Sequence, residues 1–324
     1  MTKITAPIFS GVRGTVTELH RWPVKSMGGE PVCTLRIDHR GAAGDRTHAL
    51  FDEHRGAARR LTAREAPRML TWHATYDGAD ADPADPPRPR LTAPDGTPYE
   101  WDDPTLPVAL AADLGREVAL RRDPRGQQDL NNSLLVTTEA SLRALEAELG
   151  AALDLRRFRT NVHLVLDAPA FAEETWQGRT LTVGETTLDL LHPCERCVIP
   201  TRDPDTSAKW PALLRHLARE HRTLFGINAR PRGAATLRVG YAVSLAYAAR
   251  PRPAASATMR ATGTLSGPES TQVCPSRSHV MTRRPPSSTI VKRTPRTVVR
   301  RPSGTSSASP ATIVYPTSTP LRSR

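Results

Sequence analysis

Residues 191–206 read LHPCERCVIPTRDPDT. The stretch holds Cys194 and Cys197, two of the chain's four cysteines, with Glu195 and Arg196 between them. A thiolate beside a guanidinium suits a thiophilic metal whose cofactor carries a phosphate, because soft sulfur takes the metal and the planar fork takes the anion. Three other readings compete with this one. A dithiol exchanger should follow a strand and open a helix, whereas VIPTRDPDT, with Pro200 and Pro204, reads as non-helical. Structural zinc needs four ligands, so His192, Cys33 or a distant histidine would have to complete the set. Two buried structural cysteines are the remaining alternative.

The flanking sequence reads mostly as strands. Trp176, Gly178 and the apolar residues of 181–190 predict a hairpin whose second strand delivers His192 and the cysteine pair. Before it, DLRRFRTNVHLVL at 154–166 is a basic lead into an apolar strand. Arg159 and Asn161 at its start could fork a phosphate or read the edge of a heterocycle. Residues 133–136 predict another strand. ASLRALEAELG then places Leu142, Leu145 and Leu149 at helical spacing, with Thr138 and Ser141 as capping chemistry and Gly150 as a stop. Downstream, 213–221 predicts a short helix, 224–229 a strand, and Thr236 the start of the last core strand.

The first part of the chain continues the β pattern. Residues 14–41 predict two strands around a tight Met27-Gly28-Gly29 loop, with Lys25 and Ser26 at its mouth. On local pattern alone Lys25 also fits an ordinary solvated turn lysine. Residues 47–51 and 61–70 predict strands that place Arg46 and Arg64 near one end, as an anion site would need. Residues 77–107 are rich in Pro, Asp and Gly, with a hairpin signal at 91–97. The run 108–122 reads as amphipathic and closes the first domain; DPRGQQDLNN at 123–132 reads as the connection.

Composition misleads unless it is divided. Of 45 Lys and Arg and 33 Asp and Glu, 13 basic residues but one acid, Glu269, lie from Arg250 onward, leaving 32 of each before it. The net charge of +12 therefore belongs to a Ser-, Thr-, Pro- and Arg-rich tail, which reads as disordered, and does not mark a nucleic-acid-binding body. No run of 18 apolar residues and no signal-peptide core is present, so the expectation is a cytoplasmic protein without a membrane segment. Four unevenly spaced cysteines do not read as a disulfide scaffold, which suits a reducing compartment.

Five stretches, in order, resemble the MOSC-domain proteins that carry an N-terminal barrel domain, in their amidoxime-reducing, molybdenum-dependent branch. They are PVKS at 23–26, GDR at 44–46, LTAREAPRML at 61–70, TTEASL at 137–142 with RFRTN at 157–161, and PCERCVIPTRDPDT at 193–206. The resemblance implies a mainly β fold with some α+β elements and two barrel-like parts. These are an N-terminal domain at 11–122 and a MOSC domain at 123–249, followed by the tail at 250–324. It implies that Cys197 ligates molybdenum and is the catalytic group. Lys25, Ser26, Arg46, Arg64, Arg159, Asn161 and Arg196 would hold the pterin and phosphate of the molybdenum cofactor. At family level it also carries pyridoxal phosphate binding. The implied reaction is reduction of a small N-hydroxylated substrate with electrons from a separate donor protein. The alternative is a cofactor-binding or sulfur-carrying protein without reductase activity; a third is a non-catalytic relic.

Two departures stand out from the family pattern. DPDTG is replaced by DPDTS at 203–207, and an acidic RVGD ending by Arg238-Val239-Gly240-Tyr241. The second coincides with the change in composition, so the chain reads as frame-shifted from about residue 241, with an exposed sheet edge as the expected consequence. Resequencing the DNA tests this: an intact alternative frame supports it, and a clean single frame contradicts it.

Overall fold

The structure, a computed structural model, describes residues 11–54, 56–77, 82, 85–123 and 133–246. The expected tail and the connection at 124–132 lie outside the described residues. The first part contains β1 (Arg13–Arg21), β2 (Glu30–Val32), β3 (Thr34–Asp38), β4 (Gly41–Ala42), β5 (His48–His54) and β6 (Ala57–Arg60). It continues with β7 (His73–Thr75), β8 (Arg90–Thr92), β9 (Pro98–Glu100), helix α1 (Leu106–Leu114) and β10 (Ala119–Arg122). There follow β11 (Leu134–Thr138), α2 (Glu139–Leu149), β12 (Val162–Leu166), β13 (Thr180–Val183) and β14 (Thr186–Glu195). The last elements are α3 (Pro211–Glu220), β15 (Leu224–Pro231), β16 (Ala235–Arg238) and β17 (Ala242–Ala246).

Seven of these strands close a barrel in the order β1-β12-β11-β15-β14-β13-β17, and β17 returns to β1. The fold is mainly β, as expected. The inward positions of each stave supply the core, among them Val16, Leu19, Val136, Leu164, Leu188 and Ile227. β1, from the N-terminal segment, is thus a stave among strands of the second half. It fits because Gly14 has no side chain: a Cβ there would lie 1.9 Å from the Val165 carbonyl oxygen of β12. Among the described residues the other part forms no second closed ring. Its strands form short three-stranded sheets, β10-β5-β6 and β7-β8-β9, around a core that includes Met27, Leu50, Met69, Trp72, Leu91 and Leu106.

Three local expectations change. The run 108–122 is two elements, because Gly115 takes a left-handed φ of 68° and ends α1 before β10 begins. The strand near Thr236 is β16, which pairs with β3 outside the barrel. The closing stave is β17, where Val243 and Leu245 point inward between exposed Ala242 and Ser244. Alternation through residue 245 therefore fits the barrel, and the exposed edge expected from a break near 241 is not found. The α2 expectation holds: Thr138 Oγ1 accepts from Ser141 N, and Gly150 caps the other end at φ 63°.

His48 is fully buried in the smaller part. Its Nδ1 pairs with Thr47 Oγ1 at 3.0 Å and its Nε2 has no partner. Burial pushes its imidazole down to about 3, with Arg122 and Arg88 further opposing its charged form. The folded state therefore binds fewer protons than the unfolded state, and its stability is lost as pH falls from about 6.5 toward 3. In His48→Gln the decline in unfolding free energy over that range, read by urea titration, should be shallower by up to about 1.4 kcal/mol per pH unit. An unchanged slope contradicts the assignment.

Candidate functional site

The loop at 22–29 is where the two parts meet, and backbone bonds fix its path. Trp22 N donates to Asp45 Oδ1 at 2.7 Å, and Trp22 Nε1 to the Thr160 carbonyl at 2.9 Å. Arg46 N donates to the Trp22 carbonyl at 2.6 Å, and Lys25 N to that of His48 at 2.8 Å. Lys25 is half-buried on this loop. Ser26, next to it, is buried at φ 68°, and its Oγ has no partner.

Arg159 reaches this loop from the far side, at φ 56° just before β12. Its Nη1 donates to the Met27 carbonyl, its guanidinium lies 4.4 Å from the centre of the Trp22 ring, and its Nη2 is buried with no partner. Arg46, at φ 52°, pairs with Asp45 and directs Nη2 toward the Arg159 carbonyl at 3.4 Å. Burial first, then the like charges of Arg46 and Arg196, bring the Arg159 guanidinium down to about 9; Asp45 and Cys197 act against this. It keeps its proton at neutral pH, so three guanidiniums converge on one carboxylate and a thiol.

The thiols arrive on the end of β14. Its pairing with β15 shifts register on both sides of Pro193, because a proline cannot continue the ladder, and the bulged end re-aims the chain. Cys194 and Cys197 are both free and half-buried. Arg196 donates through Nη1 to Cys194 Sγ at 3.1 Å and through Nη2 to the Phe158 carbonyl at 2.7 Å, while its Nε is buried without a partner. Residues 199–201 form one 3-10 turn, and the pair does not open an α-helix, the next of which begins only at Pro211.

Ser26, Arg46, Arg159, Arg196 and Cys197 are therefore brought into one neighbourhood. Two expected residues are placed otherwise. Asn161 is spent on the backbone: its Oδ1 accepts from Leu135 N at 3.1 Å and its Nδ2 donates to the His20 carbonyl at 3.2 Å. Arg64 is exposed in a turn closed by Thr62 and Glu65, with no strand end to aim it. Conversely, Asp45 and Trp22 matter more than their residue types suggested; only the GDR spacing pointed to the former.

The DPDT run is a structural turn. Asp203 Oδ1 accepts from Thr206 N at 3.0 Å and Thr206 Oγ1 at 2.9 Å, and Asp203 Oδ2 from Arg157 Nη2 at 2.8 Å. Arg157 Nη1 also donates to the Arg202 carbonyl at 2.7 Å. Arg156 holds Asp205 with two bonds, at 2.8 and 2.7 Å. Ser207 follows at φ 57°, the conformation that glycine adopts freely. Ser207→Gly should raise stability by up to about 1 kcal/mol, read as a higher melting temperature; a lower one contradicts this origin for the family's glycine.

The donor set fits a phosphate-bearing, thiolate-ligated group. Ser26 Oγ, Arg159 Nη2 and Arg196 Nε are buried and unpartnered. Three of the eight non-glycine residues with positive φ among the described residues belong to this cluster. Each such conformation costs on the order of 1–3 kcal/mol and persists where the surroundings impose it, often at functional sites.

Comparison with known proteins adds the following. Residues 13–104 match the profile of the MOSC N-terminal beta barrel domain and residues 123–244 that of the MOSC domain. Mitochondrial amidoxime reducing component 2 of Macaca fascicularis is 27% identical over 237 residues, which is 60% of this chain and 68% of that protein. Mitochondrial amidoxime-reducing component 1 of Homo sapiens is 26% identical over 233 residues, 60% and 67% of the two chains. The solved YUAD protein of Bacillus subtilis aligns over 72% of this chain and 95% of its own at 12% identity, with a TM-score of 0.39, a likeness too slight to bear on fold or function.

Proposed function

Since this chain belongs to the MOSC-domain proteins that also carry the MOSC N-terminal beta barrel domain, we propose that it binds the molybdenum cofactor at the Cys197 cluster and reduces N-hydroxylated small molecules. The observation that carries this reading is the convergence of free thiols with three guanidiniums and buried, unpartnered donors. The names of the two mitochondrial relatives supply the reaction class.

Cys197 is the residue assigned to ligate the metal, and Ser26, Arg46, Arg159 and Arg196 those assigned to hold the phosphate. When bound, the cofactor supplies a two-electron redox change at molybdenum, by which an N-hydroxylated substrate takes up two electrons and two protons to give amine or amidine plus water. The chain's own part is placement. The stitched loop at 22–29 fixes Ser26, while the Met27 carbonyl and the Trp22 face fix Arg159. Arg196 is anchored on the Phe158 carbonyl, so it can hold Cys194 Sγ and still present Nε. Its preset donors lose little freedom when an anion arrives, which favours binding. Electrons are assigned to a separate donor protein. Among the described residues no helix is long and apolar enough to cross a membrane.

The test is turnover of an aryl amidoxime by cofactor-loaded protein with a reduced artificial donor. Amidine formed in proportion to electron pairs consumed is expected. Loaded protein that forms no amidine or amine from any amidoxime or hydroxylamine offered would move the chain to the sulfur-carrier reading.

A further inference from the structure

A second cluster lies between α2 and the end of α3, beside the turn whose Thr223 carbonyl accepts from Arg196 N at 2.7 Å. Glu148 is the penultimate residue of α2; His216 is on α3 and His221 caps it. Both imidazole Nε2 atoms lie 2.7 Å from the same Glu148 oxygen, Oε2. The three ligand atoms are all within 4.8 Å of one another.

This convergence is not what a regular helix gives. Residues five apart point about 140° away from each other at 3.6 residues per turn, so an uninterrupted α3 would separate the two rings. The helix stops instead at His221. Arg222 and Thr223 follow at φ 52° and 64°, and Thr223 N returns to the Leu217 carbonyl at 2.8 Å, which turns His221 back over α2. A left-handed β-branched residue is a true outlier, so its surroundings impose this turn, the Arg196 N bond to the Thr223 carbonyl among them. A further observation lies behind His221. Glu174 Oε1 is buried, has no hydrogen-bond partner, and stands 3.9 Å from His221 Nδ1. A carboxylate on the far nitrogen is the arrangement that orients a metal-ligating histidine and fixes its tautomer.

We propose that Glu148, His216 and His221 form a binding site for a borderline divalent transition metal, Zn2+ foremost, that ties α2 to α3. Two imidazoles and one carboxylate are the ligand set of an open tetrahedral zinc site, and the partly exposed Glu148 leaves a fourth position for water. On binding, each Nε2 gives up its hydrogen bond to Glu148 and the ring proton resides on Nδ1. For His221 that proton faces Glu174. For His216 it replaces a 3.4 Å contact from exposed Arg219, which turns to solvent. The metal sits over the core of Leu142, Leu145, Leu213, Leu217, Phe158 and Phe225 that the two helices share. Its role is to hold that layer closed. This inference does not depend on the proposed reaction.

The test uses untagged full-length protein, stripped by chelator and reduced, with Zn2+ titrated against a chromophoric competitor and Co2+ as a spectroscopic substitute. One Zn2+ should bind per chain and raise the melting temperature, and the Co2+ spectrum should lack thiolate charge transfer. Glu148→Gln and His216→Asn should each weaken binding at least as much as Glu174→Gln, for which about 10–100-fold is expected of an outer partner. Glu148 is exposed, so its variant keeps the fold if His221 cannot be changed without harm to the turn. Three outcomes overturn the proposal: no binding, binding unchanged in Glu148→Gln and His216→Asn, or charge transfer that assigns the metal to Cys194 and Cys197.

Discussion

Cys197→Ala is expected to lose amidoxime turnover by at least about 100-fold, more than is typical for groups one shell beyond a metal. Its stability should stay within about 1 kcal/mol of wild type, since a half-buried thiol on a bulged strand end contributes little packing. Cys194→Ala should behave differently. Its sulfur rests on Arg196, whose other nitrogen is anchored on Phe158, so its loss disturbs placement and spares the ligand. Steady-state kinetics on both variants, loaded under the same conditions, checks the difference. Equal losses in the two would dissolve the distinction between ligand and neighbour.

Arg159→Met is the second large effect, and it works in opposite directions on fold and function. Burial and like-charged neighbours disfavour the Arg159 guanidinium, whose Nη2 is unpartnered, and its contacts with the Met27 carbonyl and Trp22 offset this only in part. Replacing it by an apolar side chain of similar length removes that desolvation cost and the like-charge repulsion, which offsets the lost bond to the Met27 carbonyl. The melting temperature of cofactor-free protein should therefore hold or rise. Binding should suffer, because one charge-assisted hydrogen bond is worth about 1.5–3 kcal/mol, or roughly 10–150-fold in affinity. Thermal melts with and without added inorganic phosphate read both halves. Phosphate should stabilise wild type and leave the variant unmoved. A variant that melts lower and still responds to phosphate contradicts a binding role for Arg159.

Much of this architecture could be read from residue order, for reasons that differ between elements. The leucine spacing of 142–149 and a glycine stop define α2 almost uniquely, and strict alternation at Leu35 and Ile37 does the same for β3. The closing stave β17 was hidden because a five-residue alternation abuts an abrupt change in composition. The run 108–122 was read as one element because Gly115 is a permitted helical residue until its left-handed φ is seen. At the site, residue type announced the thiols and arginines, since few other groups bind soft metals or fork phosphates. It could not announce that Ser26, Arg46 and Arg159 are left-handed, because no glycine marks those positions. The partners of Asn161 are equally silent in the sequence: a carboxamide clips backbone as readily as it reads a heterocycle, and here both its atoms bond backbone. Residue type alone gives Arg157 no role, yet it is the clamp on the DPDT turn, bonded to the Arg202 carbonyl and to Asp203.

The most direct test of the central claim is the molybdenum content of full-length protein purified from a host that makes the cofactor, with wild type beside Cys197→Ala and Arg159→Met. Stoichiometric molybdenum in wild type, lost from both variants while they melt level with or above cofactor-free wild type, is the predicted result. Folded wild type free of molybdenum, or an Arg159→Met variant that keeps its full complement, would contradict it.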